Sequence, residues 1–142
     1  MKLLELCLSD GFGGLELYAA RVVRQYTAQG VSCVAVVRRG TLLDRRLQQD
    51  GIAPGYLHTR SIYFPLRAAW KLARLIRAAG ITTVHIHSRK DLALAVFAKR
   101  WSGTSPRLVY TRQMALTRPR FGVWHRFLYR HVDAYLTITR KL

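Results

Sequence analysis

Two histidines at alternating positions are the first residues that could do chemistry. His85 and His87 lie in the apolar run Thr83–His87, which the pattern predicts to be a strand, so both imidazoles share one face of a sheet. They could ligate a metal, form a buried hydrogen-bonded pair, or present His87 to a substrate at the strand end. The nearest acid, Asp91, belongs to the following helix and no third ligand of comparable quality is visible. The sequence therefore predicts no metal site.

Three polar residues follow the second histidine. Ser88, Arg89 and Lys90 put a hydroxyl and two cations at a predicted helix start, where cations oppose the helix dipole. Such a placement is tolerated on a solvated face, and it also fits a site that holds a phosphorylated ligand. These residues are therefore candidate contacts for a phosphorylated ligand.

A glycine-rich segment, Ser9 to Glu16, separates a predicted strand from a predicted helix. Glycines there let backbone amides approach an anionic ligand, and a diphosphate is the natural candidate; a plain tight turn is the alternative. Glu16 stands where a dinucleotide fingerprint needs a third small residue, and Arg38-Arg39 replace its acid. This pattern argues against NAD and leaves NADP open, because arginine could meet a 2′-phosphate. A nucleotide-triphosphate loop is excluded, since no Gly-Lys-Ser/Thr occurs.

Cations are interleaved with large aromatic residues in the acid-free segment Arg112–His131. The predicted helix Pro65–Ala79 adds four cations on the face opposite its apolar stripe: Arg67, Lys71, Arg74 and Arg77. Such surfaces bind anionic membranes, where each Lys or Arg contributes about 1 kcal/mol. Nucleic acid is the competing polyanion, but no known nucleic-acid motif is visible. Alternatively, Trp124, Phe127 and Leu128 pack against the sheet while the arginines are solvated.

The chain as a whole is positively charged, like these segments. The 142 residues include 24 Lys and Arg against 7 Asp and Glu, a net charge of +17, and most of this excess follows residue 50. Half of the residues are hydrophobic, enough for a core, so a disordered basic tail is excluded and the length supports one domain, 1–142. Most cations are arginines, whose planar fork suits phosphate or carboxylate.

The same sequence bears on location and redox chemistry. No segment approaches the roughly 20 apolar residues that span a bilayer, and the first apolar run is too short for a signal peptide, so we expect a cytosolic protein. Cys7 and Cys33 lie in apolar runs without the spacing of a metal or redox motif. We expect both to be buried thiols.

Alternating strands and helices must position these groups. Helical patterns end at Gly30, Gly51 and Gly80, each followed at once by a β-branched residue, which is typical of a left-handed cap. The predicted elements are strand Leu3–Leu8, helix Leu15–Gln29, strand Ser32–Val37, helix Thr41–Asp50, strand Tyr56–His58, helix Pro65–Ala79, strand Thr83–His87, helix Asp91–Trp101, strand Leu108–Thr111, helix Phe121–His131 and strand Ala134–Thr139. This alternation predicts a Rossmann-like, doubly wound α/β domain with a parallel sheet, whose ligands bind beyond the carboxyl ends of the strands.

Two helices carry apolar stripes that we expect to dock on the sheet. The stripe of the first helix comprises Leu15, Tyr18, Ala19, Val22, Val23 and Tyr26, and that of the third comprises Leu66, Ala69, Trp70, Ala73 and Ile76. The chain stops directly after a predicted strand, so we expect a truncated domain or one half of a larger assembly.

The order and spacing of four segments resemble the N-terminal domain of family 4 glycosyltransferases with the GT-B architecture, especially members that build lipopolysaccharide core and related cell-envelope glycans. These segments are Ser9–Glu16, Val84–Ser88, Val109–Met114 and Trp124–Asp133. The resemblance covers nearly the whole chain and implies a retaining, metal-independent transfer from a nucleotide-diphosphate sugar, with no cofactor. It places Gly13 and Gly14 against the donor diphosphate.

The resemblance also suggests candidates near the reacting sugar. In the family, the loop after the fifth strand often offers a histidine there, whereas this chain has Thr111-Arg112-Gln113. Arg112 is a candidate to steady phosphate charge and Gln113 to hydrogen-bond a sugar hydroxyl. His87 is the next candidate, for acceptor contact. Glu16, which opens the helix behind the glycine loop, is a candidate acceptor or phosphate contact together with Ser88, Arg89 and Lys90.

Membrane docking is a further implication, because basic amphipathic helices bind family members to the cytoplasmic membrane. The candidate residues are Arg67, Lys71, Arg74, Arg118, Arg120, Trp124, Arg126 and Arg130. We therefore expect a location at the inner face of that membrane and a glycan or glycolipid acceptor.

The nucleotide-binding second domain of the family is absent from these 142 residues. We expect it in cis or as a partner chain in trans, and we expect the isolated chain to be inactive, because stabilising the transition state needs both sides of the cleft. The alternative is a non-enzymatic basic α/β module that binds anionic membrane or nucleic acid.

Overall fold

Strands and helices alternate along the chain. The computed structural model describes residues 2–9, 11, 13–58, 65–113 and 130–138. The elements are β1 (Lys2–Cys7), α1 (Gly14–Ala28), β2 (Ser32–Val37), α2 (Leu42–Gln49), β3 (Gly55–Tyr56), α3 (Leu66–Ala79), β4 (Thr83–Ile86), α4 (Leu92–Ser102), β5 (Arg107–Gln113) and β6 (Ala134–Ile138). Most bounds lie within one or two residues of the sequence prediction. The predicted helix Phe121–His131 lies almost entirely outside the described residues.

The six strands form one parallel sheet in the order β3-β2-β1-β4-β5-β6. The Rossmann-like, doubly wound α/β fold predicted from the alternation is confirmed. The strand order reverses at β1, which lies between β2 and β4. In sheets of this kind, the crevice at the carboxyl ends of the strands flanking such a reversal binds ligands. The site is therefore expected where β1 and β4 end.

Each face of the sheet has its own apolar core. One cluster joins the strand residues Leu4, Leu6 and Ile86 to buried residues of α3 and α4. The second joins Cys7 and Val37 to buried residues of α1 and α2. Burial on both faces explains why the strands read as continuous apolar runs.

The predicted glycine caps are confirmed. Gly30, Gly51 and Gly80 have φ of +76°, +78° and +66°, the left-handed conformation in which a side chain would be strained. These local stops set the lengths of the first three helices.

The apolar stripe predicted for α3 is wrong at two positions. Leu66 and Trp70 are 50% and 53% exposed, whereas Ala68 and Leu72 are buried. The buried positions follow i, i+3, i+4 spacing from residue 65, and small alanines let the backbone approach the sheet. Trp70 therefore lies on the solvent side, with the Arg74 guanidinium carbon 4.9 Å from its ring centroid.

The packing predictions for α1 and for Cys7 are confirmed, and the one for Cys33 is not. In α1, Ala19, Val22 and Val23 are buried as expected, with Tyr18 half-buried. Cys7 is a buried thiol, but Cys33 is only half-buried, because β2 begins near the exposed end of the sheet. Among the described residues, no helix combines the length and apolarity needed to cross a membrane.

Candidate functional site

The glycine-rich loop after β1 is closed by one carboxylate. Glu16 is buried and accepts hydrogen bonds from the Ser9 hydroxyl at 2.5 Å and from the Gly13 N–H at 2.7 Å. Burial would raise the pKa of Glu16, but these hydrogen bonds outweigh it and hold the pKa below its usual value. Both carboxylate oxygens thus serve the loop itself. A direct contact of Glu16 with acceptor or phosphate stays a prediction.

The same carboxylate shapes what the loop can offer a ligand. Because the Gly13 N–H already donates to Glu16, a ligand would meet the N–H groups at the start of α1, from Gly14 onward. A helix N-terminus facing the end of β1 suits an anion. The predicted diphosphate contact of Gly13 and Gly14 stays a prediction, now centred on the Gly14 end of the turn.

Asp91 anchors the start of this loop to the far side of the β1–β4 crevice. Its Oδ2 accepts a hydrogen bond from the Leu8 N–H at 2.8 Å, across 83 residues of sequence. Asp91 is 4% exposed, and burial raises its pKa from 3.8 to about 6, while the Leu8 N–H and the charge of Lys90 oppose that shift. In the sequence Asp91 was only the acid nearest to the histidines. In the structure it holds the start of the glycine loop in place.

The raised pKa of Asp91 predicts an unusual pH dependence. Between about pH 4 and 6 the folded state holds this proton and the unfolded state does not, so this group lowers stability as pH rises, with the full penalty present above pH 6. Asp91→Asn keeps an acceptor for Leu8 but no charge. We expect the stability of the variant relative to the native chain to rise by on the order of 3 kcal/mol between pH 4 and pH 7.

Urea unfolding of both chains at pH 4, 5, 6 and 7 measures this difference. Asp50→Asn, which alters a partly exposed acid at the C-terminal end of α2, is the control and should show no such trend. A stability difference between Asp91→Asn and the native chain that stays constant across this range would contradict the assignment.

A second carboxylate joins the two histidines in the core. Glu5 of β1 is paired in register with His85 of β4. Its Oε2 lies 2.8 Å from His85 Nδ1 and 2.6 Å from His87 Nε2. The other ring nitrogen of His85 contacts the Thr111 hydroxyl of β5. The expectation that no third ligand-quality residue accompanies the histidines is therefore wrong.

This cluster is closed to solvent. Glu5, His85 and His87 are 2%, 6% and 1% exposed. Burial would raise the pKa of Glu5, but its hydrogen bonds with the two histidines lower it overall, and burial lowers the pKa of His87. Glu5 Oε1 and His87 Nδ1 have no partner among the described residues. The geometry matches the buried hydrogen-bonded pair, and His87 presents no surface through which to contact an acceptor.

The remaining candidates lie on several different elements of the fold. Ser88 is buried, whereas Arg89 and Lys90 are exposed on a short 3-10 turn, Arg89–Asp91, so α4 begins later than predicted. The backbones of Arg112 and Gln113 lie at the end of β5, and their side chains are outside the described set. Arg67, Lys71, Arg74 and Arg130 are exposed. Arg118, Arg120, Trp124 and Arg126 lie outside the described residues.

Helices α3 and α4 present aromatic rings together with these cations. The Arg77 Nη2 lies 3.3 Å from where a Cβ would stand on Gly103, so this flank of α3 faces the end of α4. Leu66 and Trp70 lie within about 40° of Arg77 around the helix. On α4, Trp101 is 46% exposed, with its ring centroid 5.9 Å from that of Phe97. We call Leu66, Trp70, Trp101 and the adjacent Arg67, Lys71 and Arg74 the α3–α4 surface. The sequence predicted the cations of this surface but not its exposed apolar side chains, because Leu66 and Trp70 were assigned to the core.

The fold is a Rossmann-like α/β domain whose glycine loop lies at the strand-order reversal beside β1. The chain belongs to the glycosyl transferase 4-like domain family, whose model matches residues 13–142. No curated protein sequence matches the chain.

Solved glycosyltransferase structures share the fold. Alr3699/HepE from Anabaena, in complex with UDP, superposes with a TM-score of 0.73 at 18% identity, covering 95% of this chain and 37% of that one. MurG from Acinetobacter baumannii gives a TM-score of 0.67 at 15% identity, covering 96% and 41%. The lipopolysaccharide outer core galactosyltransferase WaaB gives 0.60 at 14% identity, covering 78% and 32%. The chain therefore spans less than half the length of these GT-B proteins.

Proposed function

We propose that this chain is the acceptor-side, membrane-docking part of a retaining, metal-independent glycosyltransferase. The enzyme would move a sugar from a nucleotide-diphosphate sugar to a lipopolysaccharide or lipid-linked acceptor at the inner face of the cytoplasmic membrane. The observation that carries this proposal is the glycine loop at the strand-order reversal, closed by Glu16 and anchored by Asp91. Family membership and similarity to a fold that binds UDP in Alr3699/HepE support the same reaction class.

Catalysis by this domain requires a second domain. The glycine loop offers backbone donors to a diphosphate, while the transition state also needs groups on the opposite side of a cleft. The donor should therefore bind weakly to the isolated chain, and transfer should appear only when a nucleotide-binding domain is supplied in cis or in trans.

Turnover measurements test the reaction class. The isolated chain is incubated with a radiolabelled UDP-sugar and membrane glycolipid, alone and with a polypeptide encoded directly downstream. We expect transfer only in the mixture or in the continuous chain. Sustained transfer by the 142 residues alone would refute the division of labour, and no transfer in either form would refute the proposed function.

The α3–α4 surface is the proposed docking site for an anionic lipid surface. Its exposed tryptophans suit the headgroup boundary, and its cations match the strong positive charge of the chain. The side chains proposed for docking all lie on the α3 and α4 side of the sheet, whereas α1 and α2 cover the opposite face.

Flotation with vesicles containing phosphatidylglycerol measures this docking. The triple variant Arg67→Ala/Lys71→Ala/Arg74→Ala should lose on the order of 100-fold in affinity, because each cation contributes about 1 kcal/mol. The effect should shrink as salt rises. Arg24→Ala, an exposed position on α1 across the sheet, is the matched control for each single α3 variant and should weaken binding less than any of them.

Two outcomes would count against docking through this surface. Equal losses in Arg24→Ala and in single α3 variants would indicate diffuse attraction by net charge. Tighter retention on RNA than on anionic vesicles at the same salt would favour the nucleic-acid alternative.

A further inference from the structure

Three buried residues bring metal-ligating atoms together outside the glycine loop. One ligand atom from each of Glu5, His85 and His87 lies within 4.8 Å of the others. Two adjacent parallel strands carry them, and the register places Glu5 directly beside His85. Tyr18 of α1 covers the group, its ring centroid 5.7 Å from that of His87. The donor set is therefore fixed by the sheet.

The cluster holds a carboxylate without a lysine or arginine partner in the described part of the chain. Its ion-pair contacts involve only the two imidazoles, both on Oε2, and Oε1 and the His87 Nδ1 are left unpartnered. An ionised group taken out of water costs several kcal/mol unless it is compensated. Orphaned polar atoms at such depth call for a bound ion or water.

A buried water is the competing occupant, and it needs two or more polar partners. The cavity of about 10 Å³ beside Glu5 is otherwise lined by Cys7 and by aliphatic or alanine side chains of α1, α2 and the sheet, and not by the histidines. Metal titration distinguishes an ion from a water.

We propose that Glu5, His85 and His87 supply three ligands to one buried Zn²⁺ ion. Two imidazoles and one carboxylate are a zinc-type donor set, whereas Mg²⁺ and Ca²⁺ prefer oxygen ligands. Thr111 meets the second ring nitrogen of His85, as outer partners of metal-bound histidines do, and this contact fixes Nδ1 as the ligand atom. Side-chain rotations would have to move the histidine nitrogens away from Glu5 Oε2, from which they now lie 2.8 and 2.6 Å, so that an ion could lie roughly 2.0–2.2 Å from each ligand atom.

The ion would stabilise the fold and take no part in the transfer reaction, which stays metal-independent. Its ligands have almost no exposed surface, so no substrate reaches the ion. The ion would cross-link β1 and β4 next to the loop that Asp91 anchors, and it would bind the folded chain preferentially.

Direct metal binding tests the proposal. The full chain is stripped with a chelator and titrated with Zn²⁺ against a chromophoric competitor, and Co²⁺ is added in parallel as a spectroscopic probe. We expect saturation at one ion per chain, Co²⁺ absorption typical of low coordination number, and a higher unfolding midpoint with Zn²⁺. Absence of saturable binding, with the midpoint unchanged by Zn²⁺, would establish a purely hydrogen-bonded network and overturn the proposal.

Variants locate the ion. Glu5→Gln and His87→Gln should each weaken Zn²⁺ binding by at least about 100-fold, and Thr111→Val by about 10- to 100-fold, the range for outer partners. His58→Gln, an exposed histidine after β3, is the matched control and should leave affinity unchanged. Should Glu5→Gln and His87→Gln unfold, Thr111→Val, which removes no ligand and keeps the side-chain volume, still decides the question. Unchanged affinity in Thr111→Val, or loss in His58→Gln, would place the ion elsewhere and refute the site.

Discussion

Replacing Glu5 with alanine is expected to lower the free energy of unfolding by about 3–5 kcal/mol, measured in chelator so that no metal contributes. The substitution removes the oxygen shared by His85 and His87 at 2.8 and 2.6 Å. Two buried imidazoles then lose their partner in a region that water does not reach, and each unmade hydrogen bond costs about 1–3 kcal/mol. The β1–β4 pairing should weaken with it.

Two further variants separate this effect from a general loss of charge. Glu5→Gln keeps an acceptor oxygen and should cost less than Glu5→Ala. Asp50→Ala removes an acid whose 3.7 Å contact with Arg46 lies at the surface, where such pairs contribute about 0–1 kcal/mol. A Glu5→Ala chain as stable as Asp50→Ala in urea unfolding would mean that the histidines find other partners.

Leu72→Ala is expected to destabilise the fold by about 2–5 kcal/mol, because it leaves a cavity between α3 and the sheet. Leu72 has no exposed surface and belongs to the larger core cluster. Trp70→Ala on the same helix removes a larger side chain but should cost only about 0.5–1 kcal/mol, mainly the contact with Arg74.

The sequence predicts the opposite order of destabilisation, because its buried stripe included Trp70 and omitted Leu72. Thermal and urea unfolding of the two single variants measure it. A greater loss of stability in Trp70→Ala than in Leu72→Ala would show that the core face of α3 is rotated from the one described here.

Local patterns determined the architecture. The left-handed glycines at the ends of α1 and α3 act through their own backbone, and the apolar runs of the strands reflect burial on both faces. These properties depend on near neighbours in the chain, so element order, the parallel sheet and the position of the glycine loop at the end of β1 were all predictable. The family resemblance rested on the same ordered segments.

Each polar site is assembled from residues that are far apart in the sequence, so the sequence did not show which residues would meet. Glu5 stood in the sequence as an interruption of an apolar strand, which was the one available sign of a buried partner. Its pairing with His87 spans 82 residues, and that of Asp91 with Leu8 spans 83. No local periodicity encodes which strands become neighbours in a sheet.

The sequence by itself determined an α/β domain with a glycine loop, a large positive charge and the family to which it belongs. Only the tertiary structure decided that Glu5 joins the histidines, that Asp91 and Glu16 hold the loop, and that Trp70 faces solvent. The physical reason is that caps and hydrophobic periodicity are short-range properties of the chain, whereas strand register and helix rotation are settled by the packing of the whole core.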